Sequence, residues 1–219
     1  MWDSTMFIML GKGILETLYM TLFSTVLAYI IGLPLGIILV VTEKDNLLPN
    51  QWVNQILNII VNIIRSIPFL ILLIFIQPFT KLIVGTKIGS TATVVPLVVA
   101  AAPFIGRMVE SSLKELDKGI VETALSMGAS PMQIIRKVMI PETKPSLWIG
   151  AAITATTVLG YSAMAGFTSG GGLGDIAIRY GFYRYQTEVM FVTVVLLVVI
   201  VQLLQAFGMR VATKQDKRK

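Results

Sequence analysis

Long apolar runs separated by short charged stretches dominate this chain. Residues 14–41, 56–77, 91–110, 146–166 and 188–209 are each mostly apolar, and a helix of about 20 such residues crosses a hydrocarbon layer ~30 Å thick. Between the third and fourth runs, residues 111–145 form a polar island rich in lysine, glutamate and turn-forming residues. The pattern predicts an all-α integral membrane protein with five transmembrane helices. It predicts one domain over 1–219, with the island as a water-facing loop between spans three and four.

Several residues inside these runs punctuate them. Pro34 between Gly32 and Gly36 predicts a kink in span one, and Arg65, Pro68 and Pro78 interrupt span two. In the island, Gly128 suits the left-handed position after a helix end. Ser130, Pro131 and Gln133 then suit the N-cap, first and third positions of the next helix. Pro141 is expected to stop that second helix, leaving it about 9 residues or ~14 Å long. With Ile134, Ile135, Val138 and Met139 along it, the short helix reads as a plug for a socket in another protein.

Composition sharpens this picture. Hydrophobic residues make up 55% and charged residues 14%, and mean hydropathy is +0.79, far from the balance of a soluble domain. The net charge of +6 does not point to nucleic acid, because the basic residues sit at span ends. With the C-terminus inside, twelve lysines and arginines face the cytoplasm and five face outward, with Arg65 intramembrane. This asymmetry places the N-terminus outside and the island in the cytoplasm. The start of the chain lacks a basic n-region and reads as a retained span. Absence of cysteine and histidine removes thiol chemistry, sulfur-ligated metal, the commonest general base and the commonest metal ligand. No catalytic, metal or cofactor site is expected.

The island resembles the EAA loop of binding-protein-dependent ABC importer permeases. The family spacing is Glu-Ala-Ala, three residues, Gly, nine residues, Ile-x-Leu-Pro; here Glu122-Thr123-Ala124 is followed at the same intervals by Gly128 and by Val138-Met139-Ile140-Pro141. The stretches 62–69, 102–110, 160–166 and 170–174 and the aromatic run from Tyr180 are similar to the methionine-importing branch of that family. The resemblance implies a type I ABC importer fold in the bacterial cytoplasmic membrane. It also implies a homodimer with its pathway on the two-fold axis, two cytoplasmic ATPase subunits that bind the ATP, and an outer substrate-binding lipoprotein. Alternating access would carry D- or L-methionine across the lipid. The residues it implies for ATPase coupling are Glu122, Ala124, Gly128, Ala129, Ser130, Pro131, Met132, Ile134, Ile135 and Pro141. For the gate and pathway it implies Met164, Tyr161, Ser162 and Arg65.

Other readings stand beside these. An arginine at a span centre costs at least ~2.5 kcal/mol, so Arg65 needs a structural partner, a water-filled path or a snorkelling route to the interface. The small residues of 150–160 either pack helices closely or line a pathway. The run Gly170-Gly171-Gly172-Leu173-Gly174 lacks the lysine of a phosphate loop and reads as a turn in which the outer backbone passes close to a partner. A permease for another polar amino acid is the alternative within the class. An ion-coupled secondary transporter would show internal repeats and several buried charges, which this chain does not.

Overall fold

A computed structural model describes residues 4–215, and every regular element in that range is helical. Helix α1 (Ser4–Val41) leads through a charged loop to α2 (Gln51–Ser66), α3 (Phe69–Phe75) and α4 (Gln77–Val84). Helix α5 (Ser90–Lys114) is followed by α6 (Lys118–Ser126), α7 (Pro131–Ile134) and α8 (Ile140–Met164). A short α9 (Gly172–Ile176) and the long α10 (Thr187–Gln215) complete the order. The tail residues Lys217, Arg218 and Lys219, which contribute to the expected charge asymmetry, lie outside the described residues.

The core is built where α1, α5 and α8 meet. Small residues decide the closest approach. A Cβ on Gly32 would sit 2.7 Å from the Ala102 carbonyl oxygen, and one on Gly36 would sit 2.5 Å from that of Gly106. Neither separation is tolerable, so the two glycines let α1 lie directly on the α5 backbone. They serve close packing around Pro34, and α1 runs unbroken through that proline. Leu97, Ile105, Val109 and Val158 fill the space between the helices and are almost wholly buried. α10 packs on α8 where Gly208 meets Ala152, while Phe191, Leu203 and Phe207 stay exposed, as a helix with one face toward lipid requires.

The expected spans are corrected in three places. The first helix begins by Ser4 and covers 38 residues, a full membrane thickness plus several further turns. The second run is not one straight span: α2 ends at Ser66, and α3 leaves it at 102°. Pro68 is the cause, since it holds Ile67 extended (φ −83°, ψ 123°) and offers no N–H to continue the helix. The described residues therefore hold four helices long and apolar enough to cross a membrane, and five spans if the bent pair counts as one.

The third correction concerns Pro141, which does not stop its helix. Residues Pro131–Thr168 form one continuous helical rod. Just before Pro141 the helix widens into a π turn over Ile135–Met139, in which the Ile140 N–H reaches back to the Ile135 carbonyl. A wider turn relieves the clash between the proline ring and the carbonyl four residues earlier. The plug reading fails with it: Ile134, Ile135 and Met139 are buried in the chain's own core.

Candidate functional site

At one end of the bundle, α6 and α7 form a helical hairpin held by its own backbone. Asp117 caps α6 through a 2.8 Å bond from the Gly119 N–H. The other end closes with paired bonds, Gly128 N–H to the Leu125 carbonyl at 2.9 Å and Ala129 N–H to that of Ala124 at 3.1 Å. This is the Schellman arrangement, and it requires a left-handed residue at Gly128, whose φ is 79°. Ser130 then starts α7 with a reciprocal capping box. The Gln133 side chain accepts from the Ser130 N–H at 2.9 Å, and Ser130 Oγ accepts from the Gln133 N–H at 3.4 Å.

The hairpin buries none of the α6 residues fully. It leaves Ile120, Leu125, Met127 and Met132 exposed, Met127 at 83%. Four large apolar side chains on a water-facing element form a surface that wants a partner. Of the coupling residues, Glu122, Gly128, Ser130, Met132 and Pro141 are exposed, and Ala124, Ala129 and Pro131 are half-buried. Ile134 and Ile135 face inward and are buried in the chain's own core.

At the far end of α8 lie the gate candidates. The Tyr161 ring stacks on that of Phe69 with centroids 4.5 Å apart and planes within 5°. The contact pins bent helix α3 to α8. Met164, one turn on, is exposed, and around Gly160 there is open space. Ser162 is not on that face. It is buried, and its hydroxyl donates to the Leu159 carbonyl at 2.8 Å.

The glycine run beyond Met164 makes its close approaches within the chain. Gly174 lies against the Ala163 backbone, and Gly166 against Gly174. Glu16 Oε2 accepts from the Gly172 N–H at 2.8 Å, and Thr17 Oγ1 accepts from the Leu173 N–H at 2.9 Å. Helix α1 thus clamps the loop that follows Met164. Nearby, burial pushes the Asp175 carboxyl above the usual carboxylate range despite the pull of Arg179, and Glu16 adds to the rise.

A polar seam joins α2 to α1 and α5. Asn54 Nδ2 donates to the Leu39 carbonyl at 2.7 Å and to Thr42 Oγ1 at 3.1 Å. Asn58 donates to Asn54, Asn62 accepts from Arg107, and Ser66 donates to the Asn62 carbonyl. Arg107 and Lys114 share Glu110, and Lys114 reaches Glu43 at 2.6 Å. Hydropathy does not mark this seam, because its residues are scattered among isoleucines. Its signal is the four-residue spacing of Asn50, Asn54, Asn58, Asn62 and Ser66, which puts all five on one helix face.

Residues 32–219 match the family described as the binding-protein-dependent transport system inner membrane component. The chain belongs to this family. It is 51% identical over 203 residues to the probable D-methionine transport system permease protein MetI of Vibrio cholerae, covering 93% of this chain and 90% of that one. It is 46% identical to the methionine import system permease protein MetP of Bacillus subtilis, covering 93% and 91%. A chain of the MetNI methionine ABC transporter, solved in inward-facing conformations, superposes with a TM-score of 0.97. That match is 46% identical and covers 99% of this chain and all of that one. As a member of this family, the chain is a multi-pass membrane permease with the type I importer fold.

Proposed function

We propose that the chain is the permease subunit of an ATP-driven methionine importer, working as two copies around a central pathway. Two ATPase subunits would dock on the α6–α7 hairpins, and an outer binding lipoprotein would deliver substrate above the loop that follows Met164. The N-terminus would lie outside and the hairpin inside. The support is the agreement of sequence and backbone, along nearly the whole chain, with permeases named for methionine import. The apolar hairpin surface adds a physical reason for a cytoplasmic partner.

The geometry suggests how the parts would work together. ATP-driven approach of the ATPases would move the two hairpins. Because α7 continues through the π turn into α8 without a break, that displacement would travel along one rod to Met164. The decisive test reconstitutes the chain with its genomic-neighbour ATPase and binding lipoprotein in vesicles. ATP-dependent accumulation of radiolabelled methionine, competed by unlabelled methionine, is the expected result. Accumulation of another amino acid in its place would keep the permease and change the substrate, whereas no association with an ATPase would overturn the reading.

A further inference from the structure

Arg65 is the one charged side chain in the second span, and it has no counter-charge. Its side chain is exposed on α2 and makes no ion pair or hydrogen bond among the described residues. Its depth follows from the seam. Asn62 is level with Arg107, which lies seven residues before Lys114 at the end of α5, or ~10 Å from that end. Taking the end of α5 as the edge of a ~30 Å hydrocarbon layer, Arg65, almost another turn further in, lies roughly 15 Å deep and near the midplane.

Among the described residues, a second copy of the chain offers no free acid at that depth. Glu110, the acid nearest that depth, is held by Arg107 and Lys114, and Glu43 by Lys114. Glu16 and Asp175 are engaged at the outer end. Asp45, Glu115, Asp117, Glu122 and Glu142 lie around the cytoplasmic ends, and Glu188 opens α10 at the outer side. A guanidinium facing hydrocarbon at mid-depth is strongly disfavoured, and such groups turn toward water-filled cavities or ion pathways.

We propose that Arg65 lines the water-filled pathway and holds the carboxylate of the passing substrate, a free amino acid. The planar fork of arginine suits a carboxylate bidentately. Pro68 places the site at the break of the span, one turn below the point where Phe69 meets Tyr161. The inference rests on the permease reading above.

The chain has no cysteine, so an Arg65→Cys variant carries one thiol on this subunit. Assembly and lipoprotein-stimulated ATPase activity are first measured on the unsubstituted complex, and failure there counts against the permease reading alone. In reconstituted Arg65→Cys complexes, methionine uptake should fall roughly tenfold or more, the scale of one lost charged hydrogen bond. A water-soluble aminoethylating methanethiosulfonate should react and restore uptake severalfold, and saturating methionine should slow that reaction. Methylthiolation should restore nothing. An unreactive thiol places Arg65 against lipid hydrocarbon or a packed interface and overturns the proposal. Undiminished uptake, or equal rescue by the neutral reagent, also overturns it.

Discussion

Arg107 on α5 reaches Asn62 on α2 with a 2.8 Å hydrogen bond while the same guanidinium grips Glu110 at 2.6 Å. One side chain therefore ties a buried carboxylate to a neighbouring helix. Truncating Asn62 to alanine should lower stability by about 1–3 kcal/mol, because Arg107 keeps a donor without an acceptor. Glu110→Ala should cost about 3 kcal/mol by leaving Arg107 without a counter-charge, while Lys114 keeps Glu43. Thermal unfolding of the purified complex in detergent measures both, and an Asn62→Ala, Arg107→Ala double cycle isolates the bond. A coupling indistinguishable from zero would mean that the seam is solvated rather than bonded.

The α1–α5 interface makes a steric prediction. Gly36→Ala puts a methyl group 2.5 Å from the Gly106 carbonyl and against Val109, so the helices must separate. The cost should be about 1–3 kcal/mol, as for other overpacked sites. Gly160→Ala, with nothing within 4 Å, should be neutral in the isolated subunit. Comparing expression and melting temperature of the two variants checks the contrast.

Much of this architecture is legible in the sequence because membrane helices and capping motifs are local signals. The Gly128 turn and the Ser130–Gln133 capping box form where their residues place them, since each needs only neighbours within a few positions. What escapes is what depends on relief of a local rule or on distant partners. Pro141 has the chemistry of a stop, and only the π turn before it lets the helix continue. Ile134 and Ile135 have the look of a free apolar face until the folded chain buries them in its core. Ser162 and Met164 are two positions apart, and only the rotation of α8 decides which is buried. The Arg107–Asn62 bond joins residues 45 apart, beyond the reach of any local pattern.

The hairpin turn separates backbone strain from surface chemistry. Gly128 has open space where a Cβ would go, so Gly128→Ala should cost only the left-handed backbone strain, about 1–2 kcal/mol. Gly128→Asn should cost less, because asparagine tolerates that conformation. Gly128→Asp should cost little in folding yet place a charge on the apolar docking surface. The expected order of ATPase co-purification is Asn above Asp. Equal retention of the ATPase by both would mean that the hairpin is not the contact.

Orientation is open to a direct check. Cysteines introduced one at a time at Gln133 on the hairpin and at Lys87 in the loop before α5 are both exposed. In intact right-side-out cells an impermeant maleimide should label Lys87→Cys and spare Gln133→Cys until the membrane is opened. The reverse pattern would invert the topology and put the hairpin out of reach of any ATPase.

Met164 carries the gate prediction. It is exposed at the end of α8 beside a helix face opened by Gly160, and its long unbranched side chain can fill an irregular gap between two copies. Met164→Ala removes that plug without disturbing the Phe69–Tyr161 stack one turn earlier, so assembly should be normal. The expected phenotype is a leak of small solutes from vesicles and ATPase activity less dependent on the binding protein. Met164→Leu, similar in volume, should stay tight. Fluorescent-dye retention and ATPase rate with and without the binding protein separate the outcomes. Tight vesicles and unchanged stimulation for the alanine variant would reduce Met164 to packing and move the barrier elsewhere along α8.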